Sequence, residues 1–172
     1  MNKLLNQIAK TLTRKKLTLS VCESCTGGML GSIITQVPGS SKYFPGGIIA
    51  YSNEVKQKTV GVKPATLRKY GAVSAEVVRE MAQGVRKRFK SDIGIGITGI
   101  AGPSGGSKKK PVGLVFISLS YKKMIFVEKY LFKGNRDHIR KKACKQALVL
   151  LNHLLKIVND ETELKRFFVL NL

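Results

Sequence analysis

The chain has 172 residues, a formal net charge of +21 and 43% hydrophobic residues, enough to bury one core without metals or disulfides. This apolar content excludes a disordered chain, and no apolar run approaches the ~20 residues that span a bilayer. The basic, amphipathic first residues lack the continuous apolar stretch of a secretory signal. We therefore expect a cytoplasmic protein without membrane contact.

The predicted elements alternate between helix and strand over the first hundred residues. A β-hairpin then follows, with its turn at residues 122–123. This order is typical of an α/β layered domain with a mixed sheet. The predicted helices cover 3–14, 26–37, a segment from 53, 64–69, 74–89 and 136–158, and the predicted strands cover 17–21, 47–52, a segment from 93, 112–121 and 124–132.

Helix-capping side chains precede three of these helices. Thr26, Asn53 and Ser74 each stand where a helix begins, and their side-chain oxygens are of the kind that accept a free amide at a helix start. The stretch 102–110 is rich in glycine and lysine, which favours an exposed loop.

Three cysteines, an odd number, argue against a disulfide framework. Cys22 and Cys25 have C-x-x-C spacing, which is compatible with a redox pair, half of a zinc site, or two small buried residues beside a turn. Further zinc ligands would have to come from Cys144, His138 and His153, which lie far away on one predicted helix. We favour burial and expect no metal.

The positive charge is spread along the whole chain. Such a surface attracts nucleic acid or any anionic substrate. Neither a Cys/His finger nor a basic-aromatic strand is found in the sequence, so sequence-specific nucleic-acid recognition is weakly supported. Nonspecific nucleic-acid binding and collection of a phosphorylated substrate both remain open.

Three loops, 23–28, 52–56 and 98–106, leave the ends of predicted strands. Ligands bind outside the carboxyl ends of the strands in open α/β sheets, so we expect the three loops to converge. In the first loop, Ser24 separates strand from helix, and the amides that open the helix favour negative charge. Plain capping of the helix is the alternative interpretation.

The second loop brings Lys56 one helical turn beyond Ser52. A serine nucleophile needs a base, and lysine can be that base only if burial or nearby cations lower its pKa. Neither histidine is well placed for this role. An ordinary surface lysine is the alternative interpretation. In the third loop, Thr98 and the glycines suit phosphate or ribose binding, and Arg136 further along can bind a phosphate.

Six blocks of the chain resemble the CinA carboxy-terminal domain family, the nicotinamide-nucleotide amidohydrolases. They span roughly residues 3–155 and read ESCTGG, VPGSSKYFPGGIIAYSNEVK, GAVSAEVVREMAQG, TGIAGPSGG, KPVGLVFISL and GNRDHIR. The resemblance implies a three-layer α/β/α sandwich, commonly a homodimer, without metal or cofactor. It implies hydrolysis of nicotinamide mononucleotide (NMN) to nicotinate mononucleotide and ammonia, which recycles pyridine nucleotides toward NAD.

The resemblance also assigns roles to individual residues. Ser24 would be the nucleophile, Lys56 its base, and Tyr51 would orient the substrate or the base. Ser41 is a rival nucleophile, and Cys25 a weaker one. The amides near Thr26–Gly28 would hold the oxyanion, and Arg136 would meet the phosphate. The predicted substrate-binding residues are Thr26, Gly27, Ser41, Asn53, Thr98, Gly99, Gly102 and Arg136.

We therefore predict an amidohydrolase domain over residues 1–158 and a C-terminal tail, 159–172, of undetermined structure. Two alternatives remain open. The first is a hydrolase of another small amide or pyridine nucleotide. The second is a non-enzymatic basic module of the same fold that associates with nucleic acid.

Overall fold

The computed structural model describes residues 2–159. Within these residues the chain forms six α-helices and five strands, with a short 3-10 helix, Ser40–Lys42, before the second strand. The helices are α1 Asn2–Lys15, α2 Met29–Thr35, α3 Asn53–Val60, α4 Pro64–Tyr70, α5 Ala75–Phe89 and α6 Arg136–Asn159, and the strands are β1 Leu19–Glu23, β2 Gly46–Ile49, β3 Ile93–Gly99, β4 Leu114–Tyr121 and β5 Met124–Leu131.

The five strands form one mixed sheet in the order β2-β1-β3-β4-β5. β1 pairs in parallel with β2 and β3, whereas β3–β4 and β4–β5 are antiparallel. Apolar residues of α1, α2 and α6 form the core on one face, and those of α3, α4 and α5 form the core on the other. The expected three-layer α/β/α sandwich with a mixed sheet is confirmed, and so is the hairpin around residues 122–123.

Close packing of α5 on β3 explains two glycines within the strand. A Cβ atom at Gly94 would overlap the carbonyl oxygen of Ala82, and one at Gly96 would lie 2.6 Å from that of Val78. The helix backbone therefore lies against the strand with no room for a side chain. This contact fixes the position of β3 relative to α5.

Several element boundaries differ from the sequence predictions. β1 begins at Leu19 rather than 17, because the Thr18 amide and hydroxyl both bond the Asp92 carboxylate outside the ladder. β2 ends at Ile49 rather than 52. The predicted tail, 159–172, lies outside the described residues except for Asn159, the last residue of α6. Among the described residues, no helix is long and apolar enough to cross a membrane.

Candidate active site

The loops that follow β1, β2 and β3 converge at one end of the sheet, as predicted. After β1 the chain crosses to β2 at one edge, and after β3 it proceeds to β4 on the other side. This divergence opens a crevice at the carboxyl ends of β1 and β3. The crevice is a cleft of about 340 Å³ whose lining includes Ser24, Cys25, Tyr51, Asn53, Lys56, Thr98, Gly99, Gly102, Ser104 and Arg136.

Lys56 is almost completely buried at the floor of this cleft, with 1% of its surface exposed. Its Nζ lies 3.1 Å from Ser24 Oγ and donates to the carbonyl oxygens of Ala50 at 2.7 Å and Tyr51 at 3.3 Å. Among the described residues, no carboxylate forms an ion pair with it. Burial lowers the pKa of Lys56, and this effect outweighs nearby thiols that raise it. The alternative of an ordinary surface lysine is therefore wrong.

As an ammonium, Lys56 donates to all three oxygen atoms around it, Ser24 Oγ included, and the neutral amine that burial favours fits the same place with one of these bonds reversed. An ammonium has three donors and no acceptor, whereas a neutral amine has two donors and one lone pair. The Ala50 and Tyr51 carbonyls occupy two donors, so the lone pair of the neutral form faces Ser24 Oγ. In that state the serine hydroxyl donates to the amine, which is the arrangement of a nucleophile and its base.

Tyr51 and Arg136 form a bridge at the mouth of the cleft. The Tyr51 side chain is 60% exposed, and its hydroxyl accepts a hydrogen bond from Arg136 Nη2 at 3.0 Å. Arg136 Nη1 donates to the Gly102 carbonyl at 2.9 Å. A guanidinium has five donors, so Arg136 keeps donors for a ligand while it holds the glycine loop in place.

Thr98 is buried near the end of β3 and lines the cleft. Its hydroxyl donates to the carbonyl of Ala72 at 2.9 Å. That bond ties β3 to the loop between α4 and α5, which contributes Ala72 and Val73 to the cleft wall. Gly99 and Gly102 also line the cleft, as predicted for the glycine loop.

The turn after β1 is built differently from the prediction. Thr26 does not cap α2, because the helix begins at Met29 after Gly28, which has a φ of 91°. The buried carboxylate of Glu23 accepts hydrogen bonds from the amides of Gly28, Leu30 and Gly31 instead. A carboxylate at this place also meets the positive end of the helix. Sequence reasoning missed Glu23, although it is the first letter of ESCTGG.

This turn also limits which amides can hold an oxyanion. The Gly27 amide donates to the Ser24 carbonyl, and the Gly28 amide donates to Glu23. Neither is free for a ligand, so the predicted oxyanion role does not hold for Gly27 and Gly28, and it stays a prediction for the Thr26 amide. Thr26 and Gly27 do not line the cleft, and within the described residues the buried Thr26 hydroxyl has no hydrogen-bond partner.

Arg140 supports the turn from α6. Its Nε and Nη2 donate to the carbonyl of Thr26 at 3.2 and 2.8 Å. Two arginines of the GNRDHIR block therefore have different contacts: Arg136 reaches the cleft, and Arg140 holds the turn behind Ser24. Thr26 has a structural contact here in place of the substrate contact predicted for it.

Ser41 is not near Ser24. It lies exposed in the 3-10 helix before β2, and two residues later the Tyr43 carbonyl accepts from the amide of Leu19 at the beginning of β1. Ser41 is thus at the amino end of β1, whereas Ser24 follows its carboxyl end. Within one chain the structure does not bring Ser41 to the cleft.

Asn53 lines the cleft but does not cap α3. The cap is Ser52, whose Oγ accepts from the Val55 amide at 3.1 Å. Asn53 follows as the first residue of the helix, and its exposed side chain is free of the capping role that the sequence suggested. The Ser74 cap of α5 is confirmed, since its hydroxyl accepts from the Val77 amide.

The three cysteines are free and buried. Cys22 packs in the core on the α5 side, and Cys25 packs in the opposite core. Burial raises the pKa of each of these two thiols to about 12. The favoured interpretation of the C-x-x-C spacing as turn packing is confirmed.

These observations define an α/β/α sandwich with a polar cleft at the carboxyl ends of its parallel strands. The family model of the CinA C-terminal domain matches residues 1–155, and the chain belongs to that family. A putative competence-damage inducible protein from Moorella thermoacetica is 52% identical over 140 residues, covering 81% of this chain and 34% of that protein. A CinA-like protein from Thermotoga neapolitana is 50% identical over 149 residues, covering 87% and 36%.

Solved structures of the same family show the same fold. The competence/damage inducible protein CihA from Agrobacterium tumefaciens is 34% identical with a TM-score of 0.86, covering 90% of this chain and 94% of that one. A CinA superfamily protein from Klebsiella pneumoniae is 29% identical with a TM-score of 0.86, covering 90% and 96%. The chain spans about a third of the length of the curated relatives above.

Proposed function

We propose that this protein is an amidohydrolase that converts NMN to nicotinate mononucleotide and ammonia, with Ser24 as nucleophile and Lys56 as base. The observation that carries the proposal is the buried Lys56 Nζ, 3.1 Å from Ser24 Oγ, whose pKa is lowered by burial. A lowered pKa leaves a larger fraction of the lysine neutral at a given pH, and only the neutral amine can accept the serine proton.

The reaction begins with the attack of Ser24 Oγ on the carboxamide carbon, while its proton passes to neutral Lys56. The C–N bond then breaks as Lys56 returns that proton to the leaving nitrogen, which departs as ammonia. A water molecule attacks the resulting ester while Lys56 takes one of its protons. The bond to Ser24 Oγ then breaks, Lys56 returns the proton to Oγ, and the acid is released. Each step uses the same pair, so protons balance over the cycle.

The developing oxyanion needs a donor near Ser24. Because the Gly27 and Gly28 amides are already bonded, we assign the role to the amide of Cys25, the residue after the nucleophile. Cys25 lines the cleft, and the amide after the nucleophile serves the same purpose in other serine hydrolases. The Cys25 thiol itself takes no part.

The remainder of the nucleotide would bind along the glycine loop. Arg136 keeps free donors and is placed at the mouth of the cleft, where a phosphate can receive two parallel hydrogen bonds. Thr98, Gly99 and Gly102 line the same cleft as this arginine and the catalytic pair. Binding of the phosphate would orient the distant amide for attack.

The test is ammonia release by the purified protein from NMN, compared with nicotinamide and other small amides. We expect release from NMN that is lost in Ser24→Ala and kept in Ser41→Ala. Release by Ser24→Ala at the wild-type rate would reject the assignment. Release from another amide in preference to NMN would assign the site to the alternative substrate class.

Binding partners are a separate proposal. The net charge is +21, and only two ion pairs, both exposed, occur among residues 2–159. Unpaired surface cations favour nonspecific nucleic-acid binding, and family resemblance favours a homodimer. Binding to duplex DNA that shows no sequence preference and weakens steeply with salt would support the nucleic-acid proposal. Analytical sedimentation of the protein would decide whether it is a homodimer.

A further inference from the structure

Lys110 lies in the loop that follows β3, where the sequence predicted an exposed run of lysines. The loop is closed at its base by bonds between Ile100 and the residues at 113–114, and a tight turn joins Ser107 to Lys110. Lys108 and Lys109 are exposed as expected, whereas Lys110 is half-buried. Its side chain therefore points back into the protein rather than into solvent.

The Lys110 ammonium contacts the backbone of a different loop. Nζ donates to the carbonyl oxygens of Tyr70 at 2.6 Å and Val73 at 2.7 Å. Tyr70 is the last residue of α4, so the positive charge also lies at the negative end of that helix. Within residues 2–159, no carboxylate forms an ion pair with Lys110.

These two loops form separate parts of the cleft lining. The α4–α5 loop supplies Ala72 and Val73, and the glycine loop supplies Ser104 and Gly105. Lys110 itself does not line the cleft. It connects the two segments from behind, while the Thr98 bond to Ala72 connects the α4–α5 loop to the strand.

We propose that Lys110 is a positioning residue that fixes the separation of these two walls, so that the cleft is preformed to accept its substrate. This inference rests on the function proposed above. Charge-assisted hydrogen bonds are about twice as strong as neutral ones, and two of them from one ammonium fix both loops with a single side chain. A preformed site avoids the cost of ordering loops on binding.

The test is Lys110→Met, with Lys109→Met as the matched control from the same loop. Lys110→Met keeps an unbranched side chain that is one atom shorter and removes its donors. The hydrogen bonds described for Ser24 and Lys56 do not involve Lys110, so chemistry at the pair should persist. We expect the KM for NMN to rise about tenfold with kcat within about twofold of wild type, and no change in Lys109→Met.

Amide hydrogen exchange provides a second readout that does not depend on turnover. Peptides covering 70–74 and 104–110 should exchange faster in Lys110→Met than in Lys109→Met, while the peptide covering 19–28 keeps its protection. Loss of protection throughout the protein, or unchanged exchange in the two loops, would overturn the inference. An unchanged KM in an active protein would overturn it too.

The two proposals fail in different ways. If wild type releases no ammonia from NMN, the proposed function falls, and the exchange comparison alone decides whether Lys110 holds the walls. If wild type is active and Lys110→Met behaves like Lys109→Met, the proposed function stands and the inference about Lys110 falls.

Discussion

Replacing Lys56 with methionine separates its chemical role from its structural one. Methionine fills the same narrow space in the core but has no amine. A positioned general base contributes roughly 10²–10⁴ in rate, so we expect kcat for NMN to fall by about that factor. The Ser24 hydroxyl would keep its place but would lose the group that accepts its proton.

The structural cost of this substitution is smaller. The Ala50 carbonyl, 2.7 Å from Nζ, loses its donor, and an unpaired buried acceptor costs about 1–3 kcal/mol. The substitution also removes an amine whose charged form is disfavoured by burial, and this gain offsets part of the cost of the unpaired carbonyl. With about 2–4 °C per kcal/mol for a domain of this size, the Tm should fall by less than about 10 °C. The control is Lys58→Met on the same helix, where an exposed pair with Glu54 contributes about 0–1 kcal/mol.

The pH dependence has a definite sign. Burial lowers the pKa of Lys56 in the folded protein, whereas an unfolded lysine titrates near ~10.4. Between these two values the unfolded chain binds more protons, so this residue makes the folded state more stable as pH rises. The difference in unfolding free energy between wild type and Lys56→Met should therefore grow in favour of wild type over that window.

The catalytic activity should depend on pH through the titration of the same amine, Lys56. Only neutral Lys56 can accept the serine proton, so kcat/KM should rise with pH and level off above the lowered pKa. Denaturant unfolding and initial rates at several pH values measure both effects. Retention of more than a tenth of kcat in Lys56→Met, or a stability difference that does not change with pH, would refute this account of the pair.

Three further outcomes follow from the site. Glu23→Gln should lose about 2–4 kcal/mol in urea unfolding, because the carboxylate accepts three amides at the start of α2; the exposed Glu128→Gln on β5 should match wild type. Arg136→Gln should raise the KM for NMN at least tenfold and should affect the unphosphorylated riboside much less; equal effects on both would remove the phosphate role. Iodoacetamide should not inactivate the folded protein, since burial raises the pKa of Cys25 to about 12, and stoichiometric inactivation through Cys25 would contradict this.

The general plan of the site was predictable from the sequence. Alternation of helices and strands indicated the sheet, and parallel strands place their carboxyl ends at one edge. Loops 23–28, 52–56 and 98–106 therefore had to meet, and the structure confirms that they do. Ser74 was also predictable as a cap, because it directly precedes a strongly amphipathic helix.

The burial of Lys56 could not be predicted from the sequence alone. In a chain with 31 basic residues, a lysine is expected at the surface. Its burial depends on two carbonyls, those of Ala50 and Tyr51, that face it only after β2 and α3 have packed. These contacts arise from tertiary structure, so local spacing gives no signal for them.

The predicted cap of α2 was wrong for a related reason. Capping rules look for a side chain directly before the helix, which favoured Thr26. Gly27 and Gly28 both have positive φ, so the turn curls and delays the helix to Met29. Glu23 then reaches the helix amides from the end of β1. These amides lie five to eight positions further along the chain, a separation that simple capping patterns do not include.

The central claim is that Ser24 forms the covalent intermediate. Rapid quenching of the reaction with NMN, followed by mass spectrometry of the intact and digested protein, tests it directly. We predict an adduct with the mass of the substrate less ammonia on the peptide that contains Ser24, absent from Ser24→Ala. An adduct on Ser41 or Cys25, or full activity in Ser24→Ala, would contradict the account.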